Sequence, residues 1–229
     1  MSSLSVISAK TKEADPFDFW LHDFFELPHS HALRHKSSYL SYPFKQLYYS
    51  QLKHWQAYFR EAIDNILIAD PTLTIPISFK PFERYLSGFK VEYYGFDNTT
   101  LPGVHGCHTI EGDTIKIYYA TNCPQTRKRF SVAHEFIHVY QRLDPHFRSS
   151  MEALPSDEVR AKLIERIAEN IASYYLVPAP LLADAYKREK DIRTLADTFC
   201  VSPKTMEICV DQYRLKWSFS AIDWDNLPF

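Results

Sequence analysis

The sequence predicts an α+β fold: a small antiparallel sheet packed on a helical core, with an N-terminal extension helix before it and helix-turn-helix-like helices after it. Three observations carry that expectation. Runs rich in Val, Ile and Tyr are confined to residues 91–120, where Gly and Pro punctuate them. Apolar residues at three- and four-residue steps fill the chain on both sides of that window. No internal repeat or low-complexity stretch breaks this order, and strands segregated from helices mark α+β rather than alternating α/β organisation.

Residues 1–15 are mostly polar or small and are expected to form a disordered tail. An aromatic arm follows at 16–43, where Phe17, Phe19, Trp20, Phe24 and Phe25 sit among Asp18, Asp23 and Glu26. Such a strip is expected to pack on its own domain, because a free one would aggregate. From Phe44 to Ala69 the recurrence of Leu47, Tyr48, Leu52, Trp55, Phe59, Ala62, Ile63 and Ile66 predicts a helix that Pro71 ends. A short helix is expected within 75–90 and a strand at 91–96. GCHTI and DTIKIYYA, joined around Glu111-Gly112, read as a hairpin. Helices are expected at about 126–143, 156–176, 179–188, 191–199 and 203–216. The resulting division is an arm and helix at 16–70, a core at 71–188 and a C-terminal helical module at 189–229.

Bulk properties narrow the function classes. With 229 residues the chain buries a core without disulfide or metal staples, so a metal would be present for chemistry. Lys and Arg number 26 against 28 Asp and Glu, which offers no broad basic field for nucleic acid. Arg127, Lys128 and Arg129 form a local patch that reads as a solvated helix start. Cys107, Cys123, Cys200 and Cys209 form no Cys-x-x-Cys pair, which argues against zinc fingers. Without a signal-type or eighteen-residue apolar run, the expectation is a cytoplasmic protein with no membrane partner.

The chemistry is concentrated in RFSVAHEFIHVYQRL. His134 and His138 are four residues apart, so on a helix their rings stand one above the other and can converge on one cation. Neutral imidazole suits Zn²⁺. Glu135, turned by roughly 100° around the helix axis, borders the cation and can act as general base toward a zinc-activated water. The competing reading is a core helix whose histidines only hydrogen-bond. Because imidazole must be neutral to bind metal, zinc affinity is expected to fall below roughly pH 6.

A peptidase needs a third protein ligand. In LIERIAENIASYYLVP, Glu165 and Glu169 share a helix face. If Glu165 completes the site, Glu169 can accept the second N–H of a ligand histidine; the two can also exchange roles, or both can be solvated surface charges. His146, Tyr174 and Tyr175 are candidates for a transition-state donor. His105 and His108, which flank Cys107, could form a metal cluster but read better as ordinary strand and turn residues.

RKRFSVAHEFIHVYQ and, downstream, ERIAENIASYYLVP resemble the ImmA/IrrE family of metallopeptidases. Arg129, Phe130, Ala133, His134, Glu135, His138, Glu165, Ala168, Ala172, Leu176 and Pro178 fall on that family's motif positions, and the resemblance covers roughly residues 75–215. It implies a glutamate-zincin site: one zinc per chain on His134, His138 and Glu165, with Glu135 as general base. It also implies a specific protein substrate, typically a helix-turn-helix transcriptional repressor cleaved in a stress response or on mobile-element induction. The chain departs from the pattern at Ile137, where glycine is common, at Glu169, where Asn or Asp is frequent, and at Ile171, where an aromatic is usual.

DIRTLADTFCVSPKTMEICVDQYRL reads as a helix-turn-helix, with Leu195, Ala196, Phe199, Val201, Met206 and Val210 as its packing set and Ser202-Pro203 starting its second helix. Glu207 and Asp211 would repel phosphate, so this pair is expected to be a structural or protein-docking module, not a DNA reader. The alternative to an endopeptidase is a non-catalytic, metal-containing regulatory or antitoxin-like binding protein. An intact Glu135 speaks against it.

Overall fold

The 27-residue helix α1, Tyr42–Ile68, opens the computed structural model, which describes residues 42–69, 73–99, 102–154 and 156–218. The tail expected at 1–15 and the aromatic arm up to residue 41 lie outside the described residues. After α1 come α2 (Lys80–Tyr85), β1 (Lys90–Phe96), β2 (Gly106–Glu111) and β3 (Thr114–Ala120). Then follow α3 (Gln125–Leu143), α4 (Pro145–Glu152), α5 (Asp157–Leu176), α6 (Ala179–Arg188), α7 (Ile192–Phe199) and α8 (Pro203–Ser218). The class is α+β, and all these elements fall in one compact unit.

The sheet is mixed, which corrects the antiparallel expectation. Its order is β1-β3-β2, with β2 antiparallel and β1 parallel to the central β3. The hairpin formed as expected around Gly112, whose φ of 62° suits a residue without Cβ. The link from Phe96 to Gly106 decides the rest. Thr121 N–H bonds Phe96 O and Ala120 N–H bonds His105 O, so both ends of the link lie at the same end of β3. Its span is long enough to step over one strand, about 10 Å, so consecutive strands need not be neighbours.

Ile115 and Ile117 of β3 are fully buried, and their register partners Val91, Tyr93, His108 and Ile110 share that face. This face packs on α3. Helix α3 packs on α5 from its other side, and α1 and α8 lie against α5. Sandwiched in this way, α3 buries residues 131–133 and 135–141 in nearly unbroken succession. Behind it, Phe82 stacks on Phe136 at 5.1 Å between ring centroids and tilts against Tyr175 at 4.4 Å, while Phe79 stacks on both rings. These rings fix the separation of α3 and α5. Arg129, expected to be solvated, reaches back to donate to Ile77 O and lies over the Phe79 ring.

Helix α4 had no counterpart among the expected elements. Its signal was nonetheless present: Asp144-Pro145 is an N-cap followed by Pro at the first helical position. Asp144 Oδ1 accepts from the backbone N–H of His146 and Phe147, each at 2.9 Å, and its Oδ2 accepts from Tyr58 Oη at 2.7 Å. One carboxylate thus caps α4 and ties it to α1, next to the Trp55, Phe59 and Phe147 cluster. Replacing Asp144 by Ala is expected to lower stability by about 1–2 kcal/mol. Urea unfolding should show this as a lower midpoint with an unchanged slope.

The C-terminal pair α7–α8 forms as its packing set suggests: Leu195, Ala196, Phe199, Val201, Met206 and Val210 are all buried. Ser202 Oγ accepts the Thr205 N–H, the expected cap. The turn between the helices carries no glycine; Cys200 takes the left-handed conformation, with φ 53°. Among the described residues no helix is long and apolar enough to cross a membrane.

Candidate metal centre

The site forms where α3, held between sheet and α5, meets α5. His134 and His138 stand one turn apart, with Nε2 atoms 2.9 Å from each other. Glu165 comes from α5, placing Oε2 3.3 Å from His134 Nε2 and Oε1 3.2 Å from His138 Nε2. The three donor atoms all lie within 4.8 Å of one another, as a group that could hold a metal ion.

The donor set fits a divalent cation. Ligands about 2.0–2.1 Å from a tetrahedral ion lie roughly 3.3 Å apart, close to the imidazole–carboxylate separations here. Glu165 Oε1 is buried and makes no hydrogen bond among the described residues, although it is 3.2 Å from an imidazole nitrogen. Three donor atoms gathered this closely around one point suit a shared partner there. Two nitrogens and one carboxylate oxygen match the preference of Zn²⁺.

Glu135 is buried beside this group, 5% exposed. Its Oε2 lies 2.8 Å from His108 Nδ1 on β2. Gly106, two residues earlier on the same strand face, lets the strand approach closely: a Cβ there would lie 3.1 Å from Glu135 Oε1 and 3.2 Å from Cγ. Burial pushes the Glu135 carboxyl up, but His108 above all, with His138 and His134, draws it below the ordinary carboxylate value. The group is therefore ionised and able to accept a proton. On the sequence alone His108 reads as an ordinary strand or turn residue. The usable signal was the two-residue alternation of Gly106, His108 and Ile110, which puts all three on the face shared with Ile115 and Ile117.

Of the two glutamates, only Glu165 joins the histidines. The Glu169 carboxylate is turned to the Arg166 guanidinium at 3.3 Å on an exposed stretch of α5. The position expected for it against a ligand imidazole is filled instead by Gln141 of α3, whose Oε1 lies 2.9 Å from His138 Nδ1. The candidate donors lie in other settings. Tyr174 Oη donates to Asp64 of α1 at 2.7 Å, Tyr175 Oη donates to Ser78 O, and His146 is exposed on the first turn of α4.

Protonation couples to this geometry. Burial lowers the His138 imidazole, but the Glu165 carboxylate overrides it and pushes it up to about 9. Burial raises Glu165, and His138 in turn holds that carboxyl far below the ordinary range. The other titratable groups at hand are His134 and Glu135 on α3 and His108 on β2. In the chelator-stripped chain His138 therefore carries a proton until the pH rises through about 9. A protonated imidazole cannot coordinate, so zinc uptake at pH 7.5 should release about one proton per chain. Apparent affinity should climb roughly tenfold per pH unit up to about 9, and not only below the roughly pH 6 that an isolated imidazole suggests. A weakly buffered indicator titration measures the release; flat affinity between pH 7 and 9 would contradict it.

Two histidines and a glutamate on a His-Glu-x-x-His helix, with a carboxylate from a later helix, define a metallopeptidase-type site. The chain belongs to the family described as the IrrE N-terminal-like domain, whose pattern matches residues 83–209, a span that contains every residue of the site. That family is one of zinc-dependent peptidases. A solved structure titled "Mycobacterium tuberculosis transcriptional regulator" resembles 72% of this chain at 17% identity, with a TM-score of 0.49. The likeness covers 49% of that protein, so the chain spans about half of its length. No match was found among curated proteins.

Proposed function

We propose that the protein is a zinc-dependent endopeptidase that cleaves a specific regulatory protein, with His134, His138 and Glu165 as ligands and Glu135 as general base. The observation that carries this reading is the ionised, buried Glu135 beside three convergent donor atoms. When bound, zinc supplies Lewis acidity, polarising a carbonyl and making a water nucleophilic near neutral pH. Glu135 is oriented by His108, which engages Oε2 and leaves Oε1 to take the proton of the attacking water and hand it to the leaving amine. The face of β2 that presents Gly106 and His108 keeps bulk water from that carboxylate. A helix-turn-helix transcriptional repressor is the substrate class that the family membership supports.

The test uses the purified full-length chain with one equivalent of zinc, incubated with a panel of helix-turn-helix repressors from the same source. Mass spectrometry should find one repressor cut at a defined bond, with cutting abolished by chelation and restored by zinc. Cleavage that survives chelation, or an entire panel left intact by the zinc-loaded chain, counts against the proposal.

A further inference from the structure

We propose that Gln141 is a positioning residue that fixes the tautomer of His138 and so aims the lone pair of Nε2 at the metal site. The inference rests on the reading that His138 is a ligand, and goes beyond it by assigning the side chain that makes it one.

One polar group beside Gln141 has no freedom of role. The backbone carbonyl of Ile164 on α5 can only accept a hydrogen bond. Gln141, 3% exposed, places its amide nitrogen 3.2 Å from that oxygen. The reverse orientation of the amide would set two carbonyl oxygens against each other, so the nitrogen faces Ile164 and Oε1 faces His138. The distance from Oε1 to His138 Nδ1 is 2.9 Å. An amide oxygen is an acceptor, hence Nδ1 carries the proton. A neutral imidazole has one N–H, so Nε2 is left with its lone pair. Nε2 is the atom that stands 2.9 Å from His134 Nε2 and 3.2 Å from Glu165 Oε1.

The arrangement ties both ligand-bearing helices together. Gln141 sits three residues after His138 on α3 and, through Ile164, grips the residue just before Glu165 on α5. Rotation of the His138 ring, or sliding of α5 along α3, breaks one of the two bonds. His134 has no such device: its Nδ1 is buried without a hydrogen-bond partner among the described residues. The orienting contact is therefore concentrated on one of the two imidazoles.

The test compares the full-length parent with Gln141→Met and Gln141→Glu. Methionine keeps the volume and removes the acceptor; glutamate keeps an acceptor toward Nδ1 but gives up the donor to Ile164 O, so it separates the tautomer from the tie to α5. Competition with a chromophoric chelator should show zinc affinity about 10- to 100-fold weaker for Gln141→Met and clearly less weakened for Gln141→Glu, which loses the donor to Ile164 O but keeps the acceptor at Nδ1. Nitrogen-15 NMR of the metal-free parent at pH 10, where His138 is neutral, should find the His138 proton on Nδ1, and Gln141→Met should lose that preference. Circular dichroism establishes that each variant is folded, and if Gln141→Met does not fold, the parent spectrum and Gln141→Glu decide the matter. Parent-like zinc affinity in Gln141→Met, Gln141→Glu as weak as Gln141→Met, or the parent proton on Nε2 each overturns the proposal. A parent chain that takes up no zinc defeats the metal reading alone, because the proton position still decides the role of Gln141.

Discussion

Replacing Glu135 by Gln is expected to leave zinc bound and to lower repressor cleavage by about 10²- to 10⁴-fold, the usual contribution of a positioned proton carrier. Glutamine has nearly the same shape, so it fits the space left by Gly106, and its Oε1 can still accept from His108 Nδ1. What disappears is the capacity to take a proton. His134, His138 and Glu165 are untouched, so zinc content by atomic absorption should equal that of the parent. Equal cleavage by parent and variant would remove Glu135 as base and favour a binding protein. Loss of zinc from the variant would make Glu135 part of the metal site and not its neighbour.

The second large effect separates two glutamates four residues apart on α5. Glu165→Ala should weaken zinc binding by more than about 100-fold. Four-ligand structural sites bind with roughly 10–16 kcal/mol, so one ligand accounts for roughly 2.5–4 kcal/mol. Glu169→Ala should change affinity by less than about threefold, because its carboxylate pairs with Arg166 on the surface of α5. Chelator competition on the two variants measures both. Comparable losses would mean that the roles of the glutamates are shared, and a loss confined to Glu169→Ala would reverse the assignment.

The helix that carries both histidines was legible in the sequence because its information is local. Four residues make one turn, so His134 and His138 must share a face wherever the helix lies, and Glu135 must stand beside it. Glu165 and Glu169 were equally eligible by the same logic, since helical periodicity places both on one face of α5. The choice between them depends on the angle at which α5 crosses α3, and that is set by Phe79, Phe82, Phe136 and Tyr175 stacked behind the site. No local pattern encodes a crossing angle.

The side chains around the ligands follow the same division. Gln141 was within reach of local reasoning, being three residues beyond His138, but its role rests on Ile164 O, which only the docked α5 presents. His108 lies 27 residues from Glu135, and its approach requires the order β1-β3-β2, with β2 lying against α3. Periodicity within a few turns or strands was enough for every helix and strand except α4, for the α+β class and for the pair of imidazoles. Packing between distant segments set the direction of β1, which glutamate meets the histidines and what holds Glu135 and His138 in place. There many weak contacts summed over buried surfaces outweigh any single local preference.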